Sequence, residues 1–299
     1  MDRSRRPSLG FIGAGVVGSS LAQELSGAGY AVTAICSRDR GRAEALVRTL
    51  GGARAVTSPQ DVVNAADIVF LTVPDDAIAP VAAAVRWQKG RSAVHCNGAA
   101  SLDLLRPATN AGAEAGVLHP LQSFASVDQA KRWMRGSTFR IEASTDALRG
   151  QLEAMAVALG GRPLVLNADP ALYHISAVLA SNYVVTLLSL ASDLWSAYGA
   201  TREEALQALL PLVRGTIENI ERLGIPAALT GPIARGDAGT VAHHLDVLRK
   251  VAPHVLPVYK ELALRALEVA LAKGSIDRDQ VRRLESVLSD AGRGGAPCE

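Results

Sequence analysis

Cysteine is scarce in this sequence: Cys36, Cys96 and Cys298 are all it has. Two of them fall in strand-like apolar runs and the third in the C-terminal tail, so they form neither a metal-ligand spacing nor a redox pair. The odd count points to reduced thiols in a cytoplasm. An excess of one charge is also missing, with Lys plus Arg at 31 against Asp plus Glu at 29. That balance gives no electrostatic basis for nucleic acid or an anionic membrane as the main partner. The basic opening, Arg3, Arg5 and Arg6, reads as a solvated tail. Leu9-Gly10-Phe11-Ile12 follows it directly, too short and too glycine-rich for a secretory leader. The longest apolar helix candidate, after Pro170, is interrupted by His174, Ser176, Ser181 and Asn182, so it is not read as crossing a membrane. Internal repeats and low-complexity tracts are absent. His243-His244 has no third ligand at metal spacing, no serine sits in a nucleophile elbow, and no Cys/His arrangement occurs. Metal and hydrolase chemistry are both disfavoured.

What is present is an ordinary globular composition, 48% hydrophobic and 20% charged over 299 residues, enough for two domains. The first part alternates short β-branched runs with amphipathic segments, the pattern of a parallel sheet covered by helices. Strands are expected at Leu9–Ile12, Ala31–Cys36, Asp67–Val73, Ser92–Cys96 and Gly116–His119, with weaker ones at Thr138–Ile141 and Pro163–Leu166. Helices are expected over Val16–Ser26 and Arg40–Leu50. The texture changes at Asp169-Pro170, an N-cap followed by a proline suited to the first helical position. One long helix then spans Pro170–Tyr198, and the capping box Thr201-Arg202-Glu203-Glu204 opens another to Leu223. Further helices are placed at Thr240–Val251, His254–Lys273 and Arg278–Ser289. Thr230–Asp237 reads as an irregular connection, and the tail after Asp290 as frayed. The fold class is therefore α/β, a doubly wound Rossmann-type domain over 1–168, followed by an all-α domain over 169–299. Apolar residues recur round several C-terminal helices, which points to a homodimer through that half.

Gly13-Ala14-Gly15-Val16-Val17-Gly18 matches G-x-G-x-x-G, a pattern that is weak alone but strong between a strand and a helix. Gly13 permits the tight turn, Gly15 lets the backbone approach a pyrophosphate, and Gly18 lets the helix pack closely on the strand. Amides of the first helical turn and the helix dipole then face the phosphates. The second strand ends Ile35-Cys36-Ser37-Arg38, without the acid that usually accepts from the ribose 2′-OH of NAD. Ser37 and Arg38 suit a 2′-phosphate instead, with Arg40 and Arg42 nearby. The expected cofactor is NADP(H); NAD(H) stays open because Asp39 lies among these arginines. Val73 and Pro74, at the carboxyl edge of the sheet, are expected to line the cofactor, and Asp75 and Asp76 to cap the next helix.

For the chemistry, His174 is the first candidate, one turn into the long helix and titrating near working pH. Ser181, seven residues on, returns to nearly the same helical face with Asn182 beside it, a polar stripe able to hold a carboxylate or carbonyl oxygen. His119 ends a strand and is fixed by Pro120, with Gln122 and Ser123 as hydrogen-bonding neighbours. It serves either the substrate or the loop backbone. Asn97 and Gly98 end the preceding strand and either approach the nicotinamide or, for Asn97, form an Asx-turn. Arg235 either pairs with an acidic substrate or with Asp237.

A family resemblance adds to these readings. The order of a nucleotide domain followed by a helical one is similar to 6-phosphogluconate-dehydrogenase-like enzymes: pyrroline-5-carboxylate reductases, hydroxyacid dehydrogenases and ketopantoate reductases. His95-Cys96-Asn97-Gly98, Leu118-His119-Pro120-Leu121-Gln122-Ser123-Phe124, Tyr173-His174 with Ser181-Asn182, and Gly231-Pro232-Ile233-Ala234-Arg235-Gly236-Asp237 look more closely like one family. That family of sequence-predicted oxidoreductases joins a Rossmann-like domain to a helical domain of unknown function, and the likeness covers nearly the whole chain. It implies a reductase of a small acidic carbonyl compound, with ketopantoate, and so pantothenate synthesis, as the leading candidate. Hydroxyacid dehydrogenases and ketopantoate reductases use a lysine on the interdomain helix as proton donor, whereas Pro170–Tyr198 contains no lysine. A cyclic-imine reductase, which needs less acid catalysis, and a non-catalytic NADP(H)-binding regulator are the alternatives.

Overall fold

The computed structural model describes residues 6–166 and 169–290. Arg3, Arg5, Cys298, the tail after Asp290 and the expected domain boundary at residue 168 lie outside them. The sheet has eight strands in the order β3-β2-β1-β4-β5-β6-β7-β8. They are β1 (Leu9–Ile12), β2 (Val32–Cys36), β3 (Arg54–Ala55), β4 (Ile68–Leu71), β5 (Ser92–His95), β6 (Glu114–Pro120), β7 (Thr138–Ala143) and β8 (Arg162–Val165). Every pairing is parallel except β6 with β7, which sets His119 opposite Arg140. The one antiparallel pairing departs from an all-parallel expectation, and a parallel-dominated doubly wound sheet is what stands.

Between the strands run α1 (Val16–Gly27), α2 (Arg40–Val47), α3 (Pro59–Ala65), α4 (Asp75–Ala84), α5 (Arg106–Asn110), α6 (Val127–Met134) and α7 (Asp146–Ala158). They cover both faces because side chains alternate along each strand. On β1 and β4, Leu9, Phe11, Ile68 and Phe70 point into one core together with Leu21 and Leu25 of α1 and Leu148 and Leu152 of α7. Ile12, Val69 and Leu71 point into the other, against Val62 and Val63 of α3 and Ile78 of α4. The Phe11 and Phe70 rings stack at 5.0 Å. Helices α3, α6 and α7 were unassigned from sequence, yet each carries a legible start. Ser58, Ser126 and Thr145 accept from the amides of Asp61, Gln129 and Leu148.

Chain contacts divide into two compact units, Met1–Ser181 and Asn182–Glu299. The division falls later than the change of texture at Asp169-Pro170 because α8 (Pro170–Ala177) bonds into the first unit through Tyr173. The expected continuous helix is not uniformly α. After α8 the chain makes a π-helical turn at Val178–Asn182, then α9 (Tyr183–Asp193), then a 3-10 turn at Leu194–Tyr198. An 18-residue window within Pro170–Tyr198 has a mean hydropathy of 1.6, and the run suffices by length and composition to cross a membrane, despite the polar residues that interrupt it.

The second unit continues with α10 (Arg202–Leu223), opened by the expected capping box. Next come α11 (Gly231–Ala234), α12 (Ala238–Val251), α13 (Leu256–Lys273) and α14 (Arg278–Asp290). Helix α11 corrects the reading of Thr230–Asp237 as irregular: Pro232 at its start supplies the fixed φ that begins a helix. Ile233, Val241, Leu245, Leu267, Leu284 and Leu288 of α11–α14 form this unit's core.

Candidate functional site

The glycine loop follows β1 without a break. Gly13 turns at φ +110°, and a Cβ there would lie 2.4 Å from the Thr72 carbonyl oxygen. Its amide donates to the Cys36 carbonyl at 2.7 Å, and the Thr72 hydroxyl donates to the Gly13 carbonyl at 2.9 Å. Gly18 meets Thr72 as well, for a Cβ on it would sit 2.3 Å from Oγ1. Gly15 differs. It has ordinary extended backbone, no atom lies within 4 Å of where its Cβ would be, and it is the N-cap of α1 without a side-chain bond to give. The first-turn amides of α1 have no intrahelical partner, and no acidic residue in that turn competes with an anion. They open on a cleft of about 270 Å³ whose walls include Gly15, Val16, Val17, Thr72, Val73, Pro74, Asp75, Cys96 and Asn97.

The space beside Gly15, the bare amides and the cleft together fit a dinucleotide pyrophosphate. Val73 and Pro74 line the cleft, and the Ala14 side chain is buried in the core. Asp75 and Asp76 form the first turn of α4 rather than its cap, which is Pro74. Burial pushes the Cys96 thiol up to about 12, so it stays protonated. At the tip of β2, Asp39 caps α2 through the Arg42 amide and pairs with Arg42 at 3.1 Å, while Arg40 pairs with Glu44 at 2.7 Å. The one acid there is thus engaged. Ser37 is half-buried and Arg38 is exposed, outside these pairs.

A second group of polar side chains is built next to the cleft, in the same unit. Asn97 accepts from the amides of Ala99 and Ala100 at 2.7 and 3.0 Å, the Asx-turn reading of this residue. The buried His95 ring accepts from the Asn97 amide at Nδ1 (3.1 Å), which leaves Nε2 to donate to the Ser101 carbonyl at 3.1 Å. Burial lowers the His95 pKa against that carbonyl bond. Gly98 follows Asn97 in the turn after β5 and packs closely against a side chain. The His119 ring lies against it, with Cε1 and Nε2 2.7 Å from where a Cβ would be. His119 Nδ1 and the Tyr173 hydroxyl share a hydrogen bond at 3.0 Å, with the rings edge to face. Burial, then the neighbouring His174, Arg140 and His95, push His119 down to about 4. Burial pushes Tyr173 up to about 12, with Arg140 pulling the other way. Arg140 is itself buried, pairs with Glu142, and donates to the Ala100 carbonyl at 3.1 Å.

Sequence reasoning singled out His119 but missed Tyr173, Arg140, His95 and Thr72 as parts of the site. Tyr173 stands beside His174 in the sequence, and Arg140 shares its strand with Thr138 and Glu142, so its charge alone did not mark it. His174 is exposed on α8. Ser181 and Asn182 do not form the expected stripe with it. The π turn between them rotates each residue less than an α turn does, so Ser181 falls short of the His174 face. Ser181 ends the first unit and Asn182 begins the second. Gln122 is exposed and accepts from the Ser123 amide at 2.9 Å. In the second unit, Asp237 caps α12 through Thr240, with exposed Arg235 lowering its pKa further after those bonds. His244 bonds the Tyr259 hydroxyl at 2.8 Å.

A nucleotide cleft at the carboxyl edge of a doubly wound sheet, followed by a helical unit, defines the class as a dinucleotide-binding oxidoreductase. Residues 8–97 match the family described as NADP oxidoreductase, coenzyme F420-dependent, and residues 137–266 match a domain of unknown function, DUF2520. The two matches together give an NADP-binding Rossmann-type domain followed by a DUF2520 domain. Solved structures agree in fold. A Thermotoga maritima protein is 25% identical at a TM-score of 0.70, covering 88% of this chain and 99% of its own. A reductive aminase from Aspergillus terreus in complex with NADPH and ethyl levulinate is 18% identical at 0.63, covering 94% and 99%. A 1-pyrroline-5-carboxylate reductase from Streptococcus pyogenes is 13% identical at 0.56, covering 95% and 98%. No curated protein matches the chain.

Two outcomes follow from this geometry. Gly15→Ala should leave the melting temperature within a few degrees yet abolish tight dinucleotide binding, because its methyl enters the phosphate space. Gly18→Ala should lower the melting temperature, because its methyl enters Thr72. Calorimetry with a binding titration separates them, and equal effects from both would refute the assignment. The second concerns pH. His119 is held below its unfolded value of ~6.5, so its contribution to stability is present above that value. That contribution is lost as pH falls towards about 4. Chemical denaturation at pH 7 and pH 4.5 should show His119→Gln losing less stability over that interval than the wild type, by about 1–3 kcal/mol.

Proposed function

We propose that this protein uses NADPH to reduce a small, acidic carbonyl compound, with ketopantoate the leading candidate. The observation that carries the reading is the phosphate-binding turn beside a group of neutral hydrogen-bonding side chains on one edge of the sheet. The bound nucleotide supplies hydride. The chain's own residues hold the diphosphate with α1 amides, meet the 2′-phosphate with Ser37 and Arg38, and place His119 and Tyr173 near the carbonyl. The family match over residues 8–97 supports the phosphorylated nucleotide. It covers the nucleotide domain alone, so coenzyme F420 is not carried over as the substrate. Reduction of a cyclic imine is the second reading, favoured by the fold shared with a pyrroline-5-carboxylate reductase. A non-catalytic NADP(H) regulator is the third.

Titration should give NADPH binding at least tenfold tighter than NADH. Arg38→Ala should remove about tenfold of the NADPH affinity, the worth of one charge-assisted hydrogen bond, and leave NADH unaffected. Following NADPH absorbance with ketopantoate and then with pyrroline-5-carboxylate decides the substrate. Turnover of the second alone moves the assignment to the imine, and tight binding without turnover of either favours the regulator. Failure of both nucleotides to bind removes the reductase reading.

The working protein is also proposed to be a homodimer through its C-terminal helices, in a reducing cytoplasm that suits free Cys36 and Cys96. The support is apolar surface on the second unit: Val185 of α9 and Leu212 of α10 are 69% and 68% exposed, and Ile217 and Leu223 stand out beside them. Sedimentation should give twice the chain mass at micromolar concentration, and Leu212→Glu with Ile217→Glu should give the monomer. A monomeric wild type refutes the pairing.

A further inference from the structure

We propose that the Tyr173 hydroxyl is the group that protonates the substrate oxygen, and that His119 is the relay that restores its proton. This rests on the reductase reading above and names the acid which that reading leaves unassigned. Pro170–Tyr198 contains no lysine to fill the role. Its first residues instead place a tyrosine against the sheet, and that tyrosine is bonded to a histidine lying on the backbone next to the cleft. Tyr173 is nearly buried, its hydroxyl 3.0 Å from His119 Nδ1. The His119 ring rests on Gly98, and the neighbouring Asn97 lines the cofactor cleft. His119 itself is only partly covered. A phenol aimed inward and a partly exposed imidazole are the two ends a proton relay needs.

The atoms balance as follows. A bound nucleotide would supply hydride to the carbonyl carbon, and the C=O π pair would then move onto oxygen. The Tyr173 O–H bond breaks, and its proton goes to that oxygen. The Tyr173 oxygen takes the Nδ1 proton of His119, and Nε2 takes one from water; exchange with water then restores the starting tautomer. The sum is carbonyl, reduced nucleotide and one solvent proton giving alcohol and oxidised nucleotide.

Charges around the pair favour a relay over a stored acid. The groups facing His119 are Tyr173 and His174 from α8, Arg140 from β7 and His95 from β5. The carboxylate on β7, Glu142, is held by Arg140. Every electrostatic neighbour therefore disfavours an imidazolium, and the phenol is kept protonated by burial. Arg140 still favours the transient phenolate. Neither group changes its charge across the neutral range, so the chemical step is expected to be level with pH there.

The experiment uses the full chain, wild type, Tyr173→Phe and His119→Asn. Tyr173→Phe should keep NADPH affinity within about twofold and lower the hydride-transfer rate in single turnovers by a hundredfold or more. His119→Asn should lower it by less, since water can replace the relay, and should introduce a pH dependence the wild type lacks. A readout free of activity accompanies these: in ¹⁵N-histidine spectra the wild-type His119 ring should stay neutral down to about pH 4, with one nitrogen hydrogen-bonded. That measurement needs no variant to fold. A ring titrating near ~6.5, a Tyr173→Phe enzyme with unimpaired hydride transfer, or a wild-type rate that falls through that pH overturns the proposal. Absence of NADPH binding by the wild type overturns the reductase reading instead, so the two failures are distinct.

Discussion

The close approach of α1 to the end of β4 is the constraint on which the nucleotide cleft depends. Thr72 sits where a side chain on Gly18 would have to go, and its hydroxyl holds the Gly13 carbonyl. That contact fixes where α1 begins and how its first amides are aimed. Strand register supplies the rest. Ile12 pairs with Leu71 and Leu71 with His95, so the corners after β1, β4 and β5 rise to the same level of the sheet. Gly15, Val73, Pro74 and Asn97 converge on one cleft because three parallel strands end together. The same three corners define a ligand site in any open sheet of this kind. Here the first is stripped of side chains and left with unpaired amides.

A different piece of sheet geometry builds the polar group. Reversal of β7 against β6 places Arg140 across from His119. From there its guanidinium reaches the Ala100 carbonyl, in the loop that Asn97 and His95 also fasten. A buried arginine without a partner is strongly unfavourable, and Glu142, two residues along the same strand and on its same face, pairs with it. The loop after β5 is thereby tied down from three directions before any ligand arrives. Preorganisation of this kind lets neutral donors act on a developing charge without first being reoriented.

The nucleotide half was legible because its signals are local. A strand, three spaced glycines and a helix sit within one short stretch, and each glycine has its own steric reason. The lack of an acid after Cys36 could be read the same way, and the structure shows Asp39 occupied as a cap. The polar group was not legible, because its members are joined by pairing and not by spacing. Arg140 and His119 meet through an antiparallel register that the weak strand signal at Thr138 did not disclose. Tyr173 and His119 meet from positions 54 apart in the chain. His174 drew attention as the titratable neighbour, yet helix geometry turned the tyrosine inward and left the histidine exposed. Periodicity also failed at Ser181 for a definite reason: extrapolating an α-helical face assumes uniform turns, and the chain inserts a π turn at Val178–Asn182. Starts of α3, α6 and α7 were written plainly in Ser58, Ser126 and Thr145, and a search for caps would have found them.

Electrostatics of the polar group also bear on the choice between carbonyl and iminium. An iminium brings its positive charge into the ground state, and hydride addition discharges it. A site suited to that reaction presents negative charge to the substrate. On the sheet edge here, the permanent cation Arg140 is paired with Glu142, and Asp75 is a carboxylate in the wall of the cofactor cleft. Burial and that cation together oppose protonation of His119. A carbonyl behaves in the opposite sense, entering neutral and gathering negative charge on oxygen as hydride arrives. Neutral hydrogen-bond donors backed by a buried guanidinium stabilise the second charge flow and resist the first. The arrangement that denies His119 a proton of its own supports the carbonyl reading proposed above, and Asp75 of the cleft wall is the group that acts the other way.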